Sequence, residues 1–146
     1  MRTLAFAALF ALAAPAFAQV EIQQPWSRAT PAGAKIAAGY LVVVNKSATP
    51  DRLVSASSPA AAKMETHVTR KEGEVMTMRP VAGYDIPARG RFELKPGGAH
   101  LMFVDIKKPF QEGDKVPVTL RFEKAGEVKV EFAVLKAPPP AEHGHH

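Results

Sequence analysis

Two histidines and two methionines, His67, Met78, His100 and Met102, follow the spacing His-x10-Met-x21-His-x-Met. Two imidazoles and two thioethers, in a chain without cysteine, make a soft and uncharged donor set. Thioether sulfur is a poor ligand for hard cations and suits a soft monovalent ion, while neutral imidazole adds a borderline donor. That is the chemistry of Cu(I). A protein that holds Cu(I) in this way is better suited to carrying the ion than to doing catalysis with it.

Each residue alone has a plainer reading. His100 reads as a surface histidine at a strand start, and Met102 as core. Residues two apart on a strand share a face, so His100 and Met102 project together while Leu101 and Phe103 point to the other side. Met76 and Met78 share a face in the same way. Methionine commonly fills gaps in cores, and Met76 and Met64 are read as core. Trp26 is read as a core or domain-edge residue. Arg28 and Arg79 either orient loops near the donors or lie at the surface.

The elements that must position these donors read as short strands. Apolar, β-branched runs span Ile36–Val44, Arg52–Ala56, Lys63–Thr69, Val75–Met78, Arg91–Leu94, His100–Ile106, Pro117–Glu123 and Val128–Leu135. Hairpin connections are expected at Lys71-Glu72-Gly73-Glu74, Lys95-Pro96-Gly97-Gly98 and Lys124-Ala125-Gly126-Glu127. Thirteen Pro and ten Gly, scattered as punctuation, argue against long helices. The expectation is an all-β, antiparallel sandwich or barrel in a single domain.

Residues 1–18 carry one charge, Arg2, then an apolar run and Ala16-Phe17-Ala18, an A-x-A cleavage signal. This reads as a secretory signal peptide and is too short for a membrane span. The expected organisation is a signal at 1–18, a β-domain at 19–137 and a Pro- and His-rich tail at 138–146, with the mature protein in the periplasm. Loss of Arg2 lowers the formal charge from +5 to +4. The basic residues are dispersed, which favours an acidic partner over nucleic acid.

The missing cysteines exclude disulfides, a blue-copper thiolate site, thiol redox chemistry and Cys-based zinc sites. An enzyme would need an open coordination position and acid/base groups; no nucleophile elbow, phosphate loop or paired-carboxylate motif is visible, and Glu65 is the one carboxylate close in sequence to a donor. No enzymatic activity is expected.

The chain resembles the PCuAC family of periplasmic copper chaperones, whose signature is His/Met-x10-Met-x21-His-x-Met. His67, Met78, His100 and Met102 match all four positions. Composition alone would produce that match from the five histidines only about 2 times in 10,000, so the pattern outweighs the separate plain readings. Pro25-Trp26-Ser27-Arg28-Ala29-Thr30-Pro31, Gly73-Glu74-Val75-Met76-Thr77-Met78-Arg79-Pro80 and Pro96-Gly97-Gly98-Ala99-His100-Leu101-Met102 resemble the family as well. The resemblance implies a cupredoxin-like Greek-key β-sandwich. It also implies a monomeric carrier with Cu(I) on His67, Met78, His100 and Met102, supplying copper for the binuclear centre of cytochrome c oxidase. The recipient would be oxidase subunit II or another copper chaperone. Some members carry a His- and Met-rich extension that binds Cu(II). The tail here, with His143, His145 and His146, lacks Met and reads either as a weaker Cu(II) site or as the remnant of an expression tag. A copper storage or resistance protein, and a structural β-sandwich with incidental His and Met, are the rival readings.

Overall fold

The computed structural model describes residues 19–139. The expected signal segment and the tail histidines His143, His145 and His146 lie outside the described residues. Ten strands form the domain: β1 (Val20–Arg28), β2 (Ile36–Asn45), β3 (Asp51–Ser57), β4 (Ala61–Glu72), β5 (Val75–Pro80), β6 (Tyr84–Ile86), β7 (Arg91–Leu94), β8 (Ala99–Ile106), β9 (Lys115–Phe122) and β10 (Gly126–Leu135). No helix among the described residues is long and apolar enough to cross a membrane.

The strands join in one sheet in the order β5-β4-β8-β2-β1-β10-β9-β3-β6, with β7 pairing on β2. The sheet curls on itself. Phe103 of β8 meets Phe132 of β10 edge to face, with ring centroids 5.9 Å apart. Tyr84 of β6, at the far end of the order, stacks at 5.1 Å on Phe92 of β7. The two layers close over Leu41, Val43, Leu53, Ile86, Leu101, Phe103, Leu120, Phe122 and Phe132. Phe103 is wholly buried; truncating such a ring to Ala costs about 3–5 kcal/mol. Gly39 admits this packing, because a Cβ there would lie 2.7 Å from Cε2 of Phe132.

All strand pairings are antiparallel except that of β1 with β10, which is parallel. Two strands were not apparent from the apolar pattern. In β1 the alternation is broken: the register with β2 shifts between Gln23 and Trp26, and Gln24 has a φ of 46°. Such a bulge re-aims the residues after it, here Trp26 and Arg28, and hides the period of two. The other, β6, is only three residues long.

Two glycine turns set the donor-bearing strands. Gly73 (φ 65°) closes the β4–β5 hairpin and Gly97 (φ 84°) turns the chain into β8, both in the left-handed region that side chains avoid. The β4–β5 hairpin is an exposed arm: β5 is an edge strand and none of its residues is buried.

Candidate metal centre

Register brings the predicted donors onto one face. His67 of β4 is directly opposite His100 of β8, and Glu65 is opposite Met102. On the other side of β4, Met78 is opposite Thr69 and Pro80 is opposite His67. Side chains alternate along strands, so Glu65, His67, Met78, His100 and Met102 all belong to the same face. Leu101 and Phe103 lie on the opposite face, in the main core. This separation puts polar donors on the back of the strand that also builds the core.

The imidazoles of His67 and His100 have centroids 5.6 Å apart and planes inclined by 31°. The Glu65 carboxylate is 2.9 Å from Nε2 of His67. The Gly98 carbonyl is 3.3 Å from Nδ1 of His100. Carboxylate and carbonyl accept, so each of those ring nitrogens carries the proton. Nδ1 of His67 and Nε2 of His100 are then bare lone pairs, and both are buried without a hydrogen-bond partner. Buried polar atoms left unpaired are uncommon and costly. Two of them, on facing imidazoles, are positioned as a pair of neutral nitrogen donors.

Electrostatics keep the pair uncharged at one member. Burial, opposed by the Gly98 carbonyl and aided by His67 nearby, holds the His100 imidazole below its ordinary pKa. The hydrogen bond from His67, together with Lys63 at 3.1 Å, holds the Glu65 carboxyl below the usual carboxylate range. Glu65 is thus an anion beside the imidazole whose tautomer it selects, the arrangement found behind many metal-bound histidines.

The sulfurs differ in setting. Met102 is 6% exposed and Met78 is 59% exposed. Both line one cavity of about 230 Å³, together with Tyr40, Arg28 and Ile36. Behind the cavity wall, Trp26 packs on Tyr40 with their rings 4.8 Å apart, and Tyr40 lies 6.5 Å from the ring of His100. Trp26 is therefore buried at the edge of the site rather than in the main core. The Arg28 guanidinium stands 6.0 Å from the centroid of Trp26, within reach of a cation–π contact. Arg79, by contrast, pairs with Glu72 on the exposed hairpin arm.

Among the described residues no three His, Cys, Asp or Glu side chains gather in a way that would hold a metal. The two imidazoles share their face with the thioethers of Met78 and Met102, a donor set that suits a soft ion.

Tyr84 is the supporting residue that strand patterning does not reveal. Its hydroxyl accepts the His67 backbone N–H at 2.9 Å and lies 2.7 Å from the His67 carbonyl and 2.6 Å from that of His100. From the core side it ties together the two backbones that carry the imidazoles. Burial pushes its phenol up to about 12.

The sequence profile described as "Putative lipoprotein LpqE-like" matches residues 20–134. A relative, "Putative lipoprotein Lxx21020" of Leifsonia xyli subsp. xyli, is 35% identical over 104 residues, which are 70% of this chain and 61% of that protein. The chain thus spans under two thirds of that relative's length. Among solved structures, the copper-bound PCuAC domain from PmoF2 is 34% identical with a TM-score of 0.70, covering 82% of this chain and 94% of that one. The Cu(I) form of DR1885 from Deinococcus radiodurans is 30% identical with a TM-score of 0.64, covering 79% of this chain and 76% of that one. The match over most of the strands, with this curled all-β sheet, means that the chain belongs to the LpqE-like family and has the cupredoxin-like fold of PCuAC domains.

Proposed function

We propose that the chain is an exported copper chaperone that binds one Cu(I) through His67, Met78, His100 and Met102 and passes it on for assembly of the binuclear copper centre of cytochrome c oxidase. Residues 1–18 would direct export and be removed in the process. The observation that carries this reading is the pair of buried, partnerless nitrogens, Nδ1 of His67 and Nε2 of His100, on the face that also bears Met78 and Met102. The copper-bound and Cu(I)-bound states of the similar domains support it.

The chain's residues divide the work. Glu65 and the Gly98 carbonyl orient the imidazoles and select their tautomers. Tyr84 fixes the spacing of the two backbones. Met102 is buried and held by packing, whereas Met78 sits on the exposed edge where a partner can reach it. All four donors are neutral, so the loaded site carries +1. Release is then easier than from a thiolate site, where the partner must overcome the attraction of bound anions. Stepwise exchange from the Met78 side suits delivery to oxidase subunit II or to another copper chaperone. The tail imidazoles His143, His145 and His146 would add a weaker site for Cu(II), since nitrogen donors favour that ion.

Competition titration with a Cu(I) chelator tests the assignment. The wild type should bind one Cu(I). Met102→Leu should keep the fold, since Leu and Met are similar in volume and such exchanges cost under about 1.5 kcal/mol, while its Cu(I) affinity falls sharply. Affinity equal to wild type in Met102→Leu would remove that residue from the ligand set.

A further inference from the structure

Met76 contradicts its sequence reading. It was expected in the core, and it is 55% exposed. Ile36, Val75, Met76 and Met78 are the exposed large hydrophobic residues among those described. Three of them lie on β5, the free edge of the sheet. Met76 is opposite Lys71 and Met78 is opposite Thr69, so both methionines occupy the face that carries His67. Packing gives no reason for a second thioether there.

Chemistry gives one. Residues two apart on a strand are separated by about 7 Å. Methionine has three rotatable bonds and a polarizable sulfur. Two such side chains can lean together until both sulfurs reach one soft ion. Met102 has no equivalent neighbour. His100 and Val104 flank it on its own face, and Met64 packs against the main core.

We infer that Met76 is a further Cu(I) ligand, an outer thioether that shares the ion with Met78 at the edge of the sheet and holds it in transit between the inner imidazoles and a partner. This rests on the reading of the site as a Cu(I) carrier. In the exchange a bond from copper to the Met76 sulfur forms as a bond from copper to an imidazole nitrogen breaks. The copper stays monovalent, and neither an electron nor a proton is transferred.

Four variants test it: Met76→Leu, Met78→Leu, Met102→Leu and the double variant Met76→Leu/Met78→Leu. Each is titrated with Cu(I) against bathocuproine disulfonate, and the sulfur ligands are counted by X-ray absorption. Met76→Leu alone should stay within about threefold of wild type. Met78→Leu should lose less affinity than Met102→Leu and should still show two sulfur ligands, because Met76 takes the vacant position. The double variant should lose a further tenfold or more, roughly 1.4 kcal/mol, and show one sulfur. A Met78→Leu protein that already shows one sulfur and binds no better than the double variant would overturn the role of Met76 while leaving the four-donor site intact. A wild-type protein that binds no Cu(I) would overturn the carrier reading itself.

Discussion

Tyr84→Phe deletes one oxygen and leaves the ring in place. The stack on Phe92 survives, so no cavity opens. What disappears is the hydroxyl that accepts from the His67 N–H at 2.9 Å and donates to the His67 or His100 carbonyl, 2.7 and 2.6 Å away. A buried backbone donor left without a partner costs about 1–3 kcal/mol. Unfolding entropy of about 2.1 cal/mol/K per residue makes 1 kcal/mol worth roughly 4 °C in a domain of this size, so the midpoint should fall by about 4–12 °C. Circular dichroism melts of copper-free protein measure this. Tyr40→Phe is the control, since the Tyr40 side chain makes no hydrogen bond to any described residue and its ring packs on Trp26, and its midpoint should barely move. The alkaline limb is a second readout. An unfolded tyrosine ionises near pH 10, whereas buried Tyr84 keeps its proton to about 12. The unfolded chain therefore binds fewer protons in that window, and wild-type stability falls as pH rises through it. Tyr84→Phe should lose that part of the decline. If Tyr84→Phe melts with Tyr40→Phe and retains the full alkaline limb, the hydroxyl does not hold the two strands and the reasoning fails.

Four further outcomes follow from the same reading. Glu65→Ala should leave the melt unchanged yet weaken Cu(I) binding by about 10- to 100-fold, as removal of an outer carboxylate partner does; nitrogen NMR of the copper-free variant should show the His67 tautomers mixing, and unchanged affinity with a single tautomer would refute the role of Glu65. Folding and pH are linked through His100. Its imidazole is held below the ordinary value, so below about pH 6.5 the unfolded chain takes a proton that the fold refuses, and copper-free stability should decline as pH falls; His100→Gln should flatten that decline. Protons also compete with Cu(I) for both imidazoles, so affinity should be level above about pH 7.5 and weaken below it, with pH-independent binding between pH 5 and 8 ruling the histidines out. Deleting residues 141–146 should leave the single Cu(I) equivalent untouched, and loss of all copper would move the site to the tail.

Which candidate donors share a face was legible within a strand, because side chains alternate with a period of two. That rule alone separates His100 and Met102 from Leu101 and Phe103. It could not place His67 opposite His100, because that register is set by pairing across 33 positions of the chain and by packing on the far face. It hid β1, where the bulge at Gln24 and the adjacent Pro25 interrupt the period. It misread Met76, since alternation tells which face a residue is on but not whether the strand lies at an edge. Tyr84 left no signal, because its hydroxyl acts on backbone atoms 16 and 17 residues away.

The two-sided use of β8 has a consequence for folding errors. Leu101 and Phe103 anchor one face while His100 and Met102 occupy the other. A slip of a single residue would exchange the faces, driving an imidazole into the aromatic core and turning Leu101 toward the metal face. No such state can both fold and bind. The candidate donor face is therefore set from behind, by side chains that point away from it into the core. Substitutions that loosen Leu101 or Phe103 should first appear as chains that remain folded but load metal unevenly, a defect of proofreading rather than of ligation.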